Sequence, residues 1–121
     1  MILVDTSVWV NHFRRADTRL NALLDQELVL LHPFVLGELV CANLARRPLT
    51  IAALRLLPHA AMAPETDVHR LLDARRLWGL GLGWIDLHLL AAALIGGDHL
   101  WTSDRALAVA ANRANIQFTP G

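Results

Sequence analysis

The chain lacks lysine altogether and has one cysteine, Cys41, among its 121 residues. A single cysteine excludes an internal disulfide and any zinc site that is built from several cysteines. Uninterrupted apolar stretches are far shorter than the roughly 18 residues that indicate a membrane-spanning helix. The first residues also lack the basic leader of a signal peptide and reach an acid at Asp5. These absences predict a cytoplasmic protein that has no membrane partner.

The formal net charge is zero, because eleven arginines balance eleven acidic residues. The overall charge therefore gives no reason to expect a nucleic-acid binder. The balance changes if a metal ion neutralises four of the acids, since seven acids would then oppose eleven arginines. In that case a basic outer surface would surround an acidic site.

What the chain does have is a regular alternation of short apolar runs and helical patterns. Apolar residues make up 55% of the sequence, which is enough to build the core of one domain over residues 1–121. Buried strands are predicted at 2–4, 28–31, 60–63, 99–102 and 116–118. Helices are predicted at 8–13, 19–24, 34–45, 50–57, 66–78, 84–95 and 104–114. Strands that alternate with helices predict an α/β fold in which helices flank a parallel sheet.

The first seven residues form the most informative stretch. Residues 2–4 are apolar without alternation, which is typical of a central parallel strand that is covered on both faces. Asp5 falls where this strand ends, and sites in open α/β sheets form beyond the carboxyl ends of strands. Capping of the next helix is an equally good explanation of Asp5 alone.

Three further acids fall at related positions. Asp104 directly follows a predicted strand, Asp86 lies in the first turn of a predicted helix, and Glu38 lies in the helix after the second strand. If these acids and Asp5 converge at one rim, their mutual repulsion requires a cation. Oxygen ligands favour hard ions such as Mg²⁺ or Mn²⁺, which activate water and stabilise charge on phosphoryl oxygens. An ordinary cap or surface role explains any one of these acids better than it explains all four.

The sequence resembles PIN-domain ribonucleases of the VapC toxin type. The resemblance lies in the stretches ILVDTSVW, PFVLGELV, GWIDLHLLAAAL and LWTSDRALAVAA, which span nearly the whole chain in the order of the family. It implies a three-layer α/β/α sandwich with a central, mostly parallel five-stranded sheet. It also implies that Asp5, Glu38, Asp86 and Asp104 bind the metal and catalyse, supported by Thr6 and by Thr102 or Ser103.

The same resemblance implies a Mg²⁺- or Mn²⁺-dependent endoribonuclease that leaves 5′-phosphate and 3′-hydroxyl ends. It further implies a homodimer that a cognate VapB-type antitoxin inhibits, with tRNA or rRNA as the class of substrate. Phosphate contacts are expected from exposed arginines, although each arginine pair is more often a solvated helix end. The candidates are Arg14, Arg15, Arg46, Arg47 and Arg105.

Smaller features have mainly structural interpretations. Cys41 and His88 are predicted to be structural residues, with Cys41 in the core. Trp84 is able to stack on an RNA base, but packing or a subunit interface explains all four tryptophans better.

Two other functional classes remain open. A phosphotransfer receiver domain also places acids at strand ends, but it needs a lysine that this chain lacks. A non-catalytic PIN-like module that binds RNA or protein would keep the fold without the chemistry. A metal titration separates this module from the nuclease.

Overall fold

Three short parallel strands form the centre of the molecule in a computed structural model that describes every residue from Met1 to Gly121. The strands are β1 (Ile2–Val4), β2 (Val29–Leu30) and β3 (His99–Trp101). Strand β1 lies in the middle, in the order β2-β1-β3. All three residues of β1 are buried, as its continuous apolar run predicts. The carboxyl ends of β1 and β3 therefore meet at one edge of the sheet.

The sheet extends at each side by a single parallel bridge instead of a full strand. Leu31 pairs with His59 at one side, and Leu100 pairs with Gln117 at the other. The α/β fold with a parallel sheet is confirmed, but the sheet has three strands and two bridges where five strands were predicted. Proline has no N–H for a ladder, so Pro58, Pro64 and Pro120 limit how far the outer segments pair.

Seven helices connect these strands. They are α1 (Thr6–Arg14), α2 (Thr18–Asp25), α3 (Pro33–Val40), α4 (Arg47–Arg55), α5 (Glu65–Ala74), α6 (Trp84–Gly96) and α7 (Arg105–Arg113). Helix α3 ends five residues before the predicted end at residue 45, and α5 ends four residues before residue 78. Arg76 has a left-handed backbone with a φ of 54°, which stops α5 from continuing. No helix combines the length and the apolar character that crossing a membrane requires.

Helix α6 is the most deeply buried helix. Its residues from Leu87 to Ala93 are all buried, because the sequence is apolar on every side of this helix. Gly97 ends α6 in the left-handed conformation with a φ of 68°, which turns the chain directly into β3. The most extensive helix contacts join α1 to α3, α3 to α4, α5 to α6 and α6 to α7. Asp86 is thus carried by a helix whose position the core fixes.

Candidate functional site

Asp5 is a buried acid at the carboxyl end of β1, with only 7% of its surface exposed. Its Oδ1 accepts a hydrogen bond from the Thr6 N–H at 2.7 Å, so Asp5 does cap α1. Its Oδ2 accepts two more, from the Ser7 hydroxyl at 2.8 Å and the Thr102 hydroxyl at 2.7 Å. A simple cap does not require donors from the far end of the chain. The site therefore links β1 to the turn that follows β3.

The hydroxyls of Ser7 and Thr102 are held in a fixed direction. Ser7 Oγ accepts the Ser103 N–H at 3.0 Å, and Thr102 Oγ1 accepts the Asp104 N–H at 3.0 Å. Because each oxygen already accepts an N–H, its own proton is directed to Asp5. Of the two supporting alternatives, Thr102 contacts an acid, whereas the Ser103 hydroxyl lies 3.4 Å from Asn11 Nδ2.

Ser7 is a site residue that the sequence prediction missed. From the sequence, Thr6 or Ser7 is able to cap the following helix, and that capping role is the only one predicted for Ser7. The signal was present in the motif Asp-Thr-Ser, where a third polar residue follows a strand end. Its contact with Ser103 depends on the pairing of Val4 with Trp101, which only the structure provides.

Glu38 joins the same site through Thr6. Glu38 Oε1 accepts the Thr6 hydroxyl at 2.7 Å, while the N–H of the same Thr6 binds Asp5. One residue thus connects two of the predicted acids, and it does so because α1 packs on α3. The supporting role of Thr6 itself stays a prediction.

Asp86 lies in the first turn of α6, where its Oδ2 accepts the Gly83 N–H at 2.9 Å. Burial raises the pKa of Asp86, and the Gly83 hydrogen bond partly opposes this effect. The negative charges of Asp5, Asp104 and Glu38 raise the pKa of Asp86 further. The four predicted acids therefore lie close enough for Asp86 to experience the charge of the other three.

Asp104 is exposed, as Glu38 is, whereas Asp5 is buried and Asp86 is partly buried. It caps α7, and its Oδ2 accepts the Leu107 N–H at 2.9 Å. Its own N–H binds Thr102, which holds it next to the Asp5 cluster. Asp98, at the start of β3, instead pairs with the amino group of Met1 at 3.3 Å. Its position at the other end of β3 separates it from the four acids.

The carboxylates share a rim but do not form a closed ligand cluster. No three histidine, cysteine, aspartate or glutamate side chains converge closely enough to hold a metal ion together. Each of the four carboxylates instead accepts at least one hydrogen bond from a nearby donor. Such hydrogen bonds stabilise the charged form of a carboxylate when no cation is bound. Their oxygen atoms are nevertheless the donor type that hard divalent cations prefer. The pKa of Asp86 is raised first by burial and then by the charges of the other three acids, and a bound cation would offset both effects. The residues fit a metal ion chemically, and the assignment of ligands stays a prediction.

The candidate arginines fall into two groups. Four of them are exposed and make no side-chain hydrogen bond or ion pair, namely Arg14, Arg15, Arg46 and Arg105. Arg47 differs, because its guanidinium donates to the backbone carbonyls of Val40 and Ala42. It caps the carboxyl end of α3, so part of its guanidinium is committed to the backbone, and its predicted phosphate contact stays a prediction.

The aromatic and cysteine predictions have mixed outcomes. Trp9 and Trp101 are buried in the core, while Trp78 and Trp84 expose 58% and 39% of their surface. His88 is buried, in agreement with a structural role. Cys41 was predicted in the core, but it is exposed at the end of α3 because that helix stops earlier than predicted.

Comparisons with known proteins agree with this geometry. The model of the PIN domain family matches residues 2–113. This chain belongs to the PIN-domain family. Ribonuclease VapC32 of two Mycobacterium tuberculosis strains is 42% identical over 117 residues, which cover 96% of this chain and 94% of the relative. The predicted resemblance to PIN domains of the VapC type is confirmed.

A solved structure shares the fold of this PIN domain. The crystal structure of FitAcB from Neisseria gonorrhoeae matches it with a TM-score of 0.61 at 22% sequence identity. The match covers 93% of this chain and 94% of the other. This PIN domain therefore has its family's fold even though two of the five predicted strands are reduced to single bridges.

Proposed function

We propose that this PIN domain is a metal-dependent endoribonuclease and the toxin of a toxin–antitoxin pair. The observation that carries the proposal is the gathering of Asp5, Glu38, Asp86 and Asp104 at one rim, where Asp86 responds to the charge of the other three. The 42% identity with Ribonuclease VapC32 supports RNA as the substrate. Acids that destabilise one another at a sheet edge are typical of a site whose partner is a cation.

Asp5 and Asp86 would hold the ion, with help from Glu38 and Asp104. Bound Mg²⁺ or Mn²⁺ supplies Lewis-acid chemistry that makes water a better nucleophile and stabilises charge on a phosphoryl oxygen. Ser7 and Thr102 keep the Asp5 carboxylate in place through Oδ2, because both of their protons are committed to it. Thr6 holds Glu38 in the same way through its hydroxyl.

The reaction is hydrolysis of an RNA phosphodiester. Water attacks phosphorus in line, the bond to the 3′ oxygen breaks, and that oxygen takes up a proton. The products carry a 5′-phosphate and a 3′-hydroxyl. Exposed arginines beside the rim, with Arg105 directly after Asp104, bind neighbouring phosphates of a substrate such as tRNA or rRNA.

A cognate VapB-type antitoxin and a second copy of the chain are the proposed partners. Large apolar side chains remain exposed on the monomer, including Leu49, Leu56 and Ile95, and they supply surface for both partners. Light scattering of the purified chain, alone and with the antitoxin, measures the mass of each assembly. A monomer at all concentrations would contradict the homodimer.

An RNA cleavage assay tests the function. The parent, Asp86→Asn and the exposed control Asp73→Asn are incubated with total RNA in Mg²⁺, Mn²⁺, Ca²⁺ or excess chelator. We expect cleavage by the parent and Asp73→Asn in Mg²⁺ and Mn²⁺ only, since Ca²⁺ is a poorer Lewis acid with looser geometry. Sequencing of the new ends identifies the target and the end chemistry. Full activity in chelator, or in Asp86→Asn, would contradict the proposal.

A further inference from the structure

A cluster of aromatic rings fills the space between α3 and α6. Phe34 of α3 lies 5.3 Å from His32 and 4.8 Å from His88 of α6, measured between ring centroids. His32 is fully buried at the start of α3, and His88 exposes only 4% of its surface. These two helices also carry Glu38 and Asp86, so the cluster joins the two elements that carry these acids.

Each of the two histidines has a buried nitrogen without a partner. His32 Nδ1 accepts the Phe34 N–H at 2.9 Å, which places the proton of the neutral ring on Nε2. That Nε2 is buried and makes no hydrogen bond, and the same is true of His88 Nδ1. A buried polar atom without a partner is costly, so native proteins nearly always satisfy it, often with water.

The two unpaired nitrogens have complementary roles. Burial, and to a smaller extent the nearby His88, lowers the pKa of His32 to about 4, so this ring is neutral near pH 7. His32 Nε2 is then a donor, and His88 Nδ1 is an acceptor when its ring carries the proton on Nε2.

The spacing of the rings excludes a direct hydrogen bond between them. Their centroids are 6.3 Å apart, and the planes meet at 61°. Because a ring nitrogen lies about 1.2 Å from its centroid, the two nitrogens are between about 4 and 8.5 Å apart, and a single bridging water spans the shorter part of this range.

We propose that His32 and His88 are positioning residues for the acidic rim, joined through one internal water between His32 Nε2 and His88 Nδ1. The bridge ties the first turn of α3 to α6 and so sets the separation of Glu38 from Asp86. Neither imidazole touches substrate or metal. The functional part of this inference rests on the proposed metal-dependent function, whereas the bridge itself does not.

Two substitutions of His32 separate the bridge from the helix cap. In His32→Asn the side-chain oxygen replaces Nδ1 and keeps the cap, but nothing replaces Nε2. In His32→Gln the amide nitrogen replaces Nε2 and keeps the bridge, but the cap is weakened. His88→Phe keeps a ring and removes the acceptor. His99→Asn, on an exposed histidine of β3, is the control.

The measurement is Mn²⁺ affinity, followed by the paramagnetic resonance of the free ion. We expect His32→Asn and His88→Phe each to weaken Mn²⁺ binding by roughly ten- to a hundredfold, as loss of an outer-shell partner does. The loss of Mn²⁺ affinity should be smaller in His32→Gln than in His32→Asn. The double variant His32→Asn/His88→Phe should lose no more Mn²⁺ affinity than either single variant. In RNA cleavage, kcat should fall in the same order while KM stays unchanged.

The opposite order would overturn the inference. If His32→Gln loses affinity while His32→Asn matches the parent, only the cap matters. Additive losses in the double variant would likewise exclude a shared bridge. If His32→Asn does not fold, His88→Phe tests the proposal by itself. Mn²⁺ affinity equal to that of the parent in His88→Phe would contradict a positioning role for the two histidines.

Nuclear magnetic resonance of the metal-free parent tests the bridge independently. Labelling with ¹⁵N should show a His32 Nε2–H that exchanges slowly and has a cross-peak to water. Absence of this signal contradicts the bridge. If the parent binds no Mn²⁺ or cuts no RNA, the proposed function fails, while this signal still decides whether the bridge exists.

Discussion

Among single residues, Ser7 connects two distant parts of the site through its hydroxyl. Its hydroxyl donates to Asp5 and accepts from Ser103, so it joins two chain segments that meet only in the folded state. Removing it leaves a buried carboxylate with one donor fewer and a backbone N–H without its acceptor. A neutral hydrogen bond is worth about 1 kcal/mol, and an unsatisfied group costs more.

We therefore expect Ser7→Ala to lower the free energy of unfolding by about 1–2 kcal/mol. The rise in Tm that Mg²⁺ produces should also shrink, because Asp5 is less well held. Ser103→Ala is the matched control, since its hydroxyl contacts only Asn11 at the long distance of 3.4 Å. Denaturant unfolding measures both variants, and equal stability of the two would show that the Ser7 contacts are unimportant.

Asp86 gives a prediction that depends on pH. The pKa of Asp86 in the folded protein is raised above the ordinary aspartate value of 3.8, first by burial and then by the neighbouring acids. Between the unfolded and folded pKa values the native state binds more protons, so its stability falls as pH rises through that window. Asp86→Asn removes this cost and keeps an oxygen that accepts the Gly83 N–H. The metal-free variant should thus be at least as stable as the parent at pH 7, and this advantage should vanish near pH 4.

The buried histidines shape the same pH curve in the other direction. The pKa of His32 falls from 6.5 to about 4 on folding, so stability is lost as pH decreases between these values. The pH dependence of the parent's stability contains both the Asp86 effect and the His32 effect. The difference between parent and Asp86→Asn, measured in chelator from pH 7 to pH 4, isolates the carboxylate. A variant that is clearly less stable at pH 7 would mean that Asp86 is a structural cap.

At the scale of elements, the carboxyl end of α3 explains why two adjacent arginines should behave differently. Arg47 donates to the carbonyls of Val40 and Ala42, whereas the Arg46 side chain makes no hydrogen bond or ion pair. Arg47→Ala should therefore lower the free energy of unfolding by about 1 kcal/mol. Arg46→Ala should leave stability unchanged and weaken RNA binding, with a flatter dependence on salt. Thermal melts and RNA titrations at several salt concentrations measure both, and the reverse pattern would contradict this assignment.

Sequence patterns predicted the elements that rely on local chemistry and missed those that rely on long-range pairing. Apolar residues 2–4 and the acid after them correctly placed β1 and Asp5, because a buried strand and its end are both local signals. The strands expected at 60–63 and 116–118 were reduced to bridges, since their length depends on partners and on nearby prolines. The contacts of Ser7, and the unpaired nitrogens that His32 and His88 bring together, also depend on the packing of distant segments.

At the scale of the whole molecule, the net charge of zero includes an acidic rim and several exposed arginines. Arg105 directly follows Asp104 of the rim, and Arg14 and Arg15 are exposed at the end of α1 that lies away from Asp5. None of these three arginines has an ionic partner in the structure. A cation that neutralises the rim would leave these arginines to attract an RNA backbone. Metal binding and RNA binding are therefore expected to support one another, because each reduces a repulsion that opposes the other.

The central claim is that the acidic rim binds a divalent cation through several of its carboxylates. Titration of the parent with Mn²⁺, in comparison with Asp5→Asn, Asp86→Asn and the control Asp73→Asn, tests it most directly. We expect saturable binding to the parent and to Asp73→Asn, and a loss of at least about tenfold in affinity in each rim variant. Parent-like binding by Asp5→Asn and Asp86→Asn, or no binding by the parent, would contradict the account.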